Sequence, residues 1–384
     1  MSEGPEARPS GGGDPVAWDL AAKVAARVAG RDPFASSYLY ESLQPDFEEL
    51  TALAEGLVTA ETGLRPLTGP ARARVTDRAG WVRANIASFR RLLRPVLARL
   101  EEKLADTAGS PLGRVVQPVG RVVTGAQLGT LLGWMSTRVL GQYDLLLMED
   151  ERPEDQDLVY YVGPNILALE KRFAFPPREF RLWIALHEVT HRAQFTGVPW
   201  MREHFLSLVE GSVSAADPDP RRFLEAIFKA IELVRQGKNP LDDGLMALLA
   251  TPEQAEVLGQ VQALMSLLEG HGDVTMDRAA ADRIPNAERF SRVLRQRRQE
   301  AKGPVKLLQQ AIGLDAKMRQ YEAGERFIAK VESAGGPALL ARVWEAPERL
   351  PTRAEIQDPL RWIERMRRTP ASGWDGAAAG LSAG

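Results

Sequence analysis

The chain has 384 residues, ample to bury a core, and its 49 Lys+Arg against 51 Asp+Glu leave a formal charge of −2. That balance removes the main electrostatic argument for nucleic acid or a membrane surface as a partner, and none is expected. There is no cysteine, which excludes disulfides, iron–sulfur clusters, thiolate zinc sites and a cysteine nucleophile; a cytoplasmic location is expected.

Residues 1–14, rich in Gly, Pro and Ser, read as a disordered leader lacking the basic start and apolar run of a signal peptide. Residues 15–368 read as one compact, mainly helical domain, and 369–384 as a disordered tail. Apolar residues recur at three- and four-residue spacing from Val16 to Val28, Phe47 to Leu64, Val75 to Leu104, Pro220 to Gln236 and Leu307 to Ala334. Gly125, Gly129 and Gly133 fall every fourth residue in an apolar run too short to span a bilayer, and read as a seam for a closely packed helix. The acidic run Glu149 to Asp157 reads as a solvated loop. Only Leu158 to Val162, closed by Gly163-Pro164, carries a convincing strand signal. The basic stretch Arg292 to Lys306 lacks interleaved aromatics and reads as a solvated helix end.

Chemistry concentrates in Leu186-His187-Glu188-Val189-Thr190-His191, which uses two of only four histidines. Pro176-Pro177-Arg178-Glu179 is a good helix start, so the motif is placed on a helix. One turn apart, His187 and His191 can then reach a single cation at about 2.0–2.1 Å. Glu188, about 100° round the helix, lies beside the cation and can act as a base. The third-histidine extension of this motif is absent, because Gln194 and Gly197 stand at its Gly and His positions.

Two glutamates compete as third metal ligand. Glu210 follows His191 after eighteen intervening residues. Glu269 is favoured, because Thr251, Pro252 and Gln254 start its helix well and Asp273 lies one turn beyond it. Asp273 is placed to accept the free N–H of a ligating histidine. His204 reads as a surface or packing residue. His271 could reach a cleft only if the helix loosens at Gly270 and Gly272. For a donor to a developing oxyanion, Tyr321 on an amphipathic helix is the named candidate, with Arg319, Tyr160 and Tyr161 the other available side chains.

The chain resembles actinobacterial zincin-like metallopeptidases or hydrolases associated with deazaflavin-coenzyme biosynthesis. The resemblance is carried by Trp18 to Ala25, Leu186 to Phe195, Gly197 to Arg202, Leu268 to Asp273 with Met276-Asp277, Gly313 to Tyr321, and Val343-Trp344-Glu345. It implies a zincin-like, mostly helical fold with a small β element beside the metal-binding helix. It also implies zinc held by His187, His191 and a downstream Glu, with Glu188 as base. By the same analogy, Leu158 to Val162 would be an edge strand able to pair with an extended peptide. The expected function is a zinc-dependent hydrolase acting on a peptide or small amide. The rivals are a zinc-containing binding or scaffold protein and an amidase for a coenzyme-like small molecule.

Overall fold

A computed structural model describes residues 16–32, 34, 37–108, 113–143, 157–214, 252–299 and 314–370. The leader 1–14, most of the acidic run, the helix expected at Pro220 to Gln236, the cap Thr251 and nearly all of the tail lie outside the described residues. In chain order, the first elements are α1 (Trp18–Ala29), α2 (Tyr38–Glu41), α3 (Leu43–Thr62), β1 (Arg72–Thr76), α4 (Arg78–Ala108) and α5 (Gly113–Ser136). Then come β2 (Gly141–Tyr143), β3 (Leu158–Val162), α6 (Gly163–Phe173), α7 (Pro177–Thr196) and α8 (Met201–Ser214). After residue 251 follow α9 (Pro252–Ala280), α10 (Ala287–Gln299), α11 (Leu314–Ala341), α12 (Arg353–Gln357) and α13 (Pro359–Arg368). The protein is mainly helical with a small sheet, as its periodicity predicts. None of the described helices is long and apolar enough to cross a membrane.

The described residues fall into two compact units, one built from 1–35 and 76–139, the other from 36–75 and 140–384. In the first, α5 lies against α1 along the glycine seam. A Cβ on Gly125, Gly129 or Gly133 would come within 2.6 Å of the carbonyl oxygens of Ala17, Ala21 and Ala25 respectively. Small residues on both faces thus let the two backbones approach, which is the packing the glycine spacing predicts. Trp81 and Val82 of α4 are buried in the same unit.

The second unit holds a three-stranded sheet in the order β1-β3-β2, with β2 and β3 antiparallel and Gly141 opposite Tyr161. Here the structure corrects the strand reading twice. Val75, counted into a helical run, belongs to β1, and β3 is the central strand rather than the edge. All five residues of Leu158-Val-Tyr-Tyr-Val162 are buried, as an unbroken apolar run requires when both faces are covered. Tyr161 stacks on Phe47 of α3 at 3.9 Å between ring centres and shares a 2.7 Å hydrogen bond with Thr51. β1 and β2 are the two edges, and β2, the one that Glu188 meets, is at three residues too short to announce itself.

Two arginines of α7 tie it to its surroundings. Arg181 pairs with Glu170 of α6 at 2.8 Å and with Asp46 of α3. Arg192, fully buried, pairs with Glu55 and Asp157 at 2.6 Å each and donates to the Gly69 carbonyl at 2.7 Å. On another side, α9 packs on α11 where Gly270 and Gly324 meet. A Cβ on Gly324 would lie 1.9 Å from the Ser266 carbonyl oxygen, so no side chain fits between these backbones.

Candidate metal centre

Helix α7 begins as its sequence suggests, with Pro177 in the first turn and Glu179 near the positive end of the helix dipole. Glu179 also accepts hydrogen bonds from the Asn286 backbone and side chain at 3.1 and 3.0 Å, anchoring that end. The helix runs unbroken through His187 and His191, whose rings lie edge to face with centres 4.7 Å apart. Facing them is the middle of α9, which carries Glu269, a buried carboxylate.

One ligand atom from each of His187, His191 and Glu269 lies within 4.8 Å of the others. His191 Nε2 stands 3.5 Å from Glu269 Oε2. Two ligands of one tetrahedral zinc, at bond lengths near 2.1 Å, are about 3.4 Å apart. The spacing and the chemistry, two imidazoles and a carboxylate without sulfur, therefore fit a zinc ion. Gly272 borders the same side, where an added Cβ would make only ordinary contact, 3.6 Å from His191 Cε1.

Electrostatics agree. Burial pushes the His191 ring toward neutrality, but the hydrogen bond and charge of Glu269, with the charge of Glu188, outweigh it and raise its pKa to about 9. The pocket thus calls for positive charge beside Glu269, which a proton or a divalent cation can supply.

Glu188 is buried and turned toward the edge strand. The ladder explains how. The Val162 N–H donates to the Leu140 carbonyl at 2.8 Å, so Gly141 and Tyr143, next and third along, turn their backbone polar groups away from β3. The Tyr143 N–H donates to Glu188 Oε2 at 3.2 Å. A Cβ on Gly141 would fall 2.6 Å from Glu188 Cγ and 2.7 Å from Oε1, so the carboxylate occupies the space of a missing side chain.

The other residues singled out from the sequence are placed as follows. Glu210 is exposed on α8, outside the three-residue group. Asp273 lies on α9, where burial first, and then the charges of Glu325 and Glu269, hold its carboxyl well above the usual range. The free nitrogen of His191 does not go to it: Nδ1 meets Gln194 Oε1 at 3.0 Å, because residues three apart on one helix are neighbours. His187 Nδ1 approaches Met276 Sδ at 3.2 Å. His271 is buried, with α9 continuous around it; burial first, then the charges of His191 and Arg278, lower its pKa to about 3. His204 of α8 packs edge-on against Trp200, the residue just before that helix. Tyr160 and Tyr161 are buried in β3. Tyr321 and Arg319 sit on the backbone of α11, and their side chains lie outside the described residues. Sequence reasoning missed Gly141, the Tyr143 amide, Met276 and the contact of Gln194. None of these carries a local signal.

Comparison with known proteins bears on this geometry. The profile of a family described as zincin-like metallopeptidases matches residues 16–363. A crystal structure from Chloroflexus aurantiacus, titled a "putative hydrolase with a novel fold", is 31% identical; the match covers 92% of this chain and 100% of that one, with a TM-score of 0.66. No curated protein matches. The chain belongs to the zincin-like metallopeptidase family.

Proposed function

We propose that this family member is a zinc-dependent hydrolase, more specifically a cytoplasmic metallopeptidase that cleaves an amide bond. The observation that carries the reading is the convergence of His187, His191 and Glu269 within 4.8 Å beside a glutamate held by the edge strand. His187, His191 and Glu269 would hold the metal. Zinc held there would supply Lewis-acid chemistry, which lowers the pKa of a water toward neutrality and polarises a carbonyl. Glu188 takes the proton of the attacking water and passes it to the leaving amine. The Tyr143 amide fixes the direction of the Glu188 carboxylate for both transfers. Gln194 occupies His191 Nδ1 and so leaves Nε2 toward Glu269.

Elemental mass spectrometry on the chain purified without chelator tests the metal. About one zinc per chain is expected, lost in Glu269→Ala and kept in Glu210→Ala. Zinc retained by Glu269→Ala and lost from Glu210→Ala would move the ligand set to α8. Absence of zinc from the parent chain, even after zinc is supplied, would end the enzyme reading. Glu188→Gln should keep the zinc and lower turnover of any cleaved peptide by about 10²–10⁴-fold. Equal turnover by that variant would remove Glu188 from the mechanism.

A further inference from the structure

Gln194 is fully buried between α7 and α9. Its side-chain nitrogen lies 2.9 Å from the Leu268 carbonyl oxygen and 3.0 Å from His271 Nδ1. Its oxygen lies 3.0 Å from His191 Nδ1. These three contacts fix the orientation of the amide and the proton on His191 Nδ1. A backbone carbonyl only accepts, so the atom facing Leu268 must be the NH₂ group. The amide oxygen is then turned to His191 and accepts a hydrogen from Nδ1. With Nδ1 protonated, the lone pair of neutral His191 is on Nε2, the atom 3.5 Å from Glu269. The second NH₂ hydrogen goes to His271 Nδ1, which accepts it. A flipped amide would set its oxygen against the Leu268 carbonyl and leave a buried carbonyl without a donor. His271 is itself held edge-on by Trp344, ring centres 5.0 Å apart.

We propose that Gln194, aimed by the Leu268 carbonyl and by His271, is a positioning residue that fixes the tautomer of His191 so that Nε2 faces the metal. The inference rests on the zinc reading above and deepens it. Here a neutral amide carries out the orienting task often given to a carboxylate. It does so without adding negative charge to a pocket that already holds Glu188, Glu269 and Asp273.

The test uses the full chain labelled with ¹⁵N-histidine and loaded with zinc. Only four rings contribute to its long-range ¹H–¹⁵N spectrum. His191 is expected to carry hydrogen on Nδ1 and to bind through Nε2. In Gln194→Met, that Nδ1–H signal should move upfield and exchange faster with water. The zinc Kd, read by competition with a colorimetric chelator, should rise about 10–100-fold. Thr196→Val, which removes a buried hydrogen bond from the same helix to the Arg192 carbonyl, should leave the zinc Kd unchanged. Should Gln194→Met not fold, His271→Leu removes one of the two anchors; it should raise the Kd severalfold and shift the same signal. Binding through His191 Nδ1, or an unchanged Kd in whichever variant folds, overturns the proposal while leaving the zinc reading intact. A parent chain that takes up no zinc overturns both, and so separates the two failures.

Discussion

At the scale of single residues, the site depends on one missing side chain. Gly141 leaves room for Glu188, and an added Cβ would meet that carboxylate at 2.6–2.8 Å. Because the clash is with a side chain, the glutamate can give way, so Gly141→Ala should fold. In doing so it must swing off the Tyr143 amide. The expected result is zinc content like that of the parent with turnover reduced at least tenfold, since orientation of a base contributes strongly to its efficiency. Full turnover with one zinc per chain would show that the contact between Gly141 and Glu188 is incidental. The two histidines and Glu188 were legible in the sequence because their geometry is set by the period of one helix. Gly141 was not, because its glycine is required by a residue on a different element, and a lone Gly beside Leu140 looks like any loop glycine.

At the scale of elements, the carboxylate Glu269 is delivered by α9, whose position is set by the contact of Gly270 with Gly324 on α11. Backbone meets backbone there, so no rotamer change can relieve an added methyl. Gly324→Ala should cost about 1–3 kcal/mol of stability and should weaken zinc binding, because Glu269 immediately precedes Gly270. Gly259 lies on the same helix, with nothing within 4 Å of where its Cβ would be. Gly259→Ala should therefore stabilise by roughly 0.5–1 kcal/mol with zinc affinity unchanged. Thermal melts with chelator titration decide the pair; equal responses at both positions would contradict the close approach. The sheet shows the opposite limit of sequence reading. β3 was found from its apolar run, yet the same run was assigned to an edge. Burial of all five residues identifies a central strand flanked by β1 and β2, and the edge beside Glu188, β2, is only three residues long.

At the scale of the molecule, a half-buried ion pair links acid stability to the fold. Glu355 caps α12 and accepts from Arg365 at 2.7 and 2.9 Å and from the Thr352 amide at 2.9 Å. Burial alone would raise its pKa, but the hydrogen bonds from Arg365 and Thr352 and the charge of Arg365 together hold it below 4.5. A folded value below the unfolded one gives stability that is present above about pH 4.5 and lost as pH falls through the folded value. Glu355→Gln should thus lower stability near neutral pH by about 1 kcal/mol, a small figure because Arg365 is 34% exposed. It should also flatten the fall of Tm below pH 4.5. A Tm-against-pH curve parallel to that of the parent would show that the pair contributes nothing to acid sensitivity.

By itself the sequence determined the mainly helical class, the glycine seam of α5 and the motif helix, because each rests on spacing or helix-start signals within one segment. It also offered both Glu210 and Glu269 as partners for the histidines. Tertiary structure alone decided that Glu269 meets them while Glu210 stays exposed, that the Tyr143 amide of β2 meets Glu188, and that Gln194 rather than Asp273 takes the free nitrogen of His191. Those outcomes depend on which faces of distant segments are pressed together, and the periodicity of a single segment carries no information about its partner.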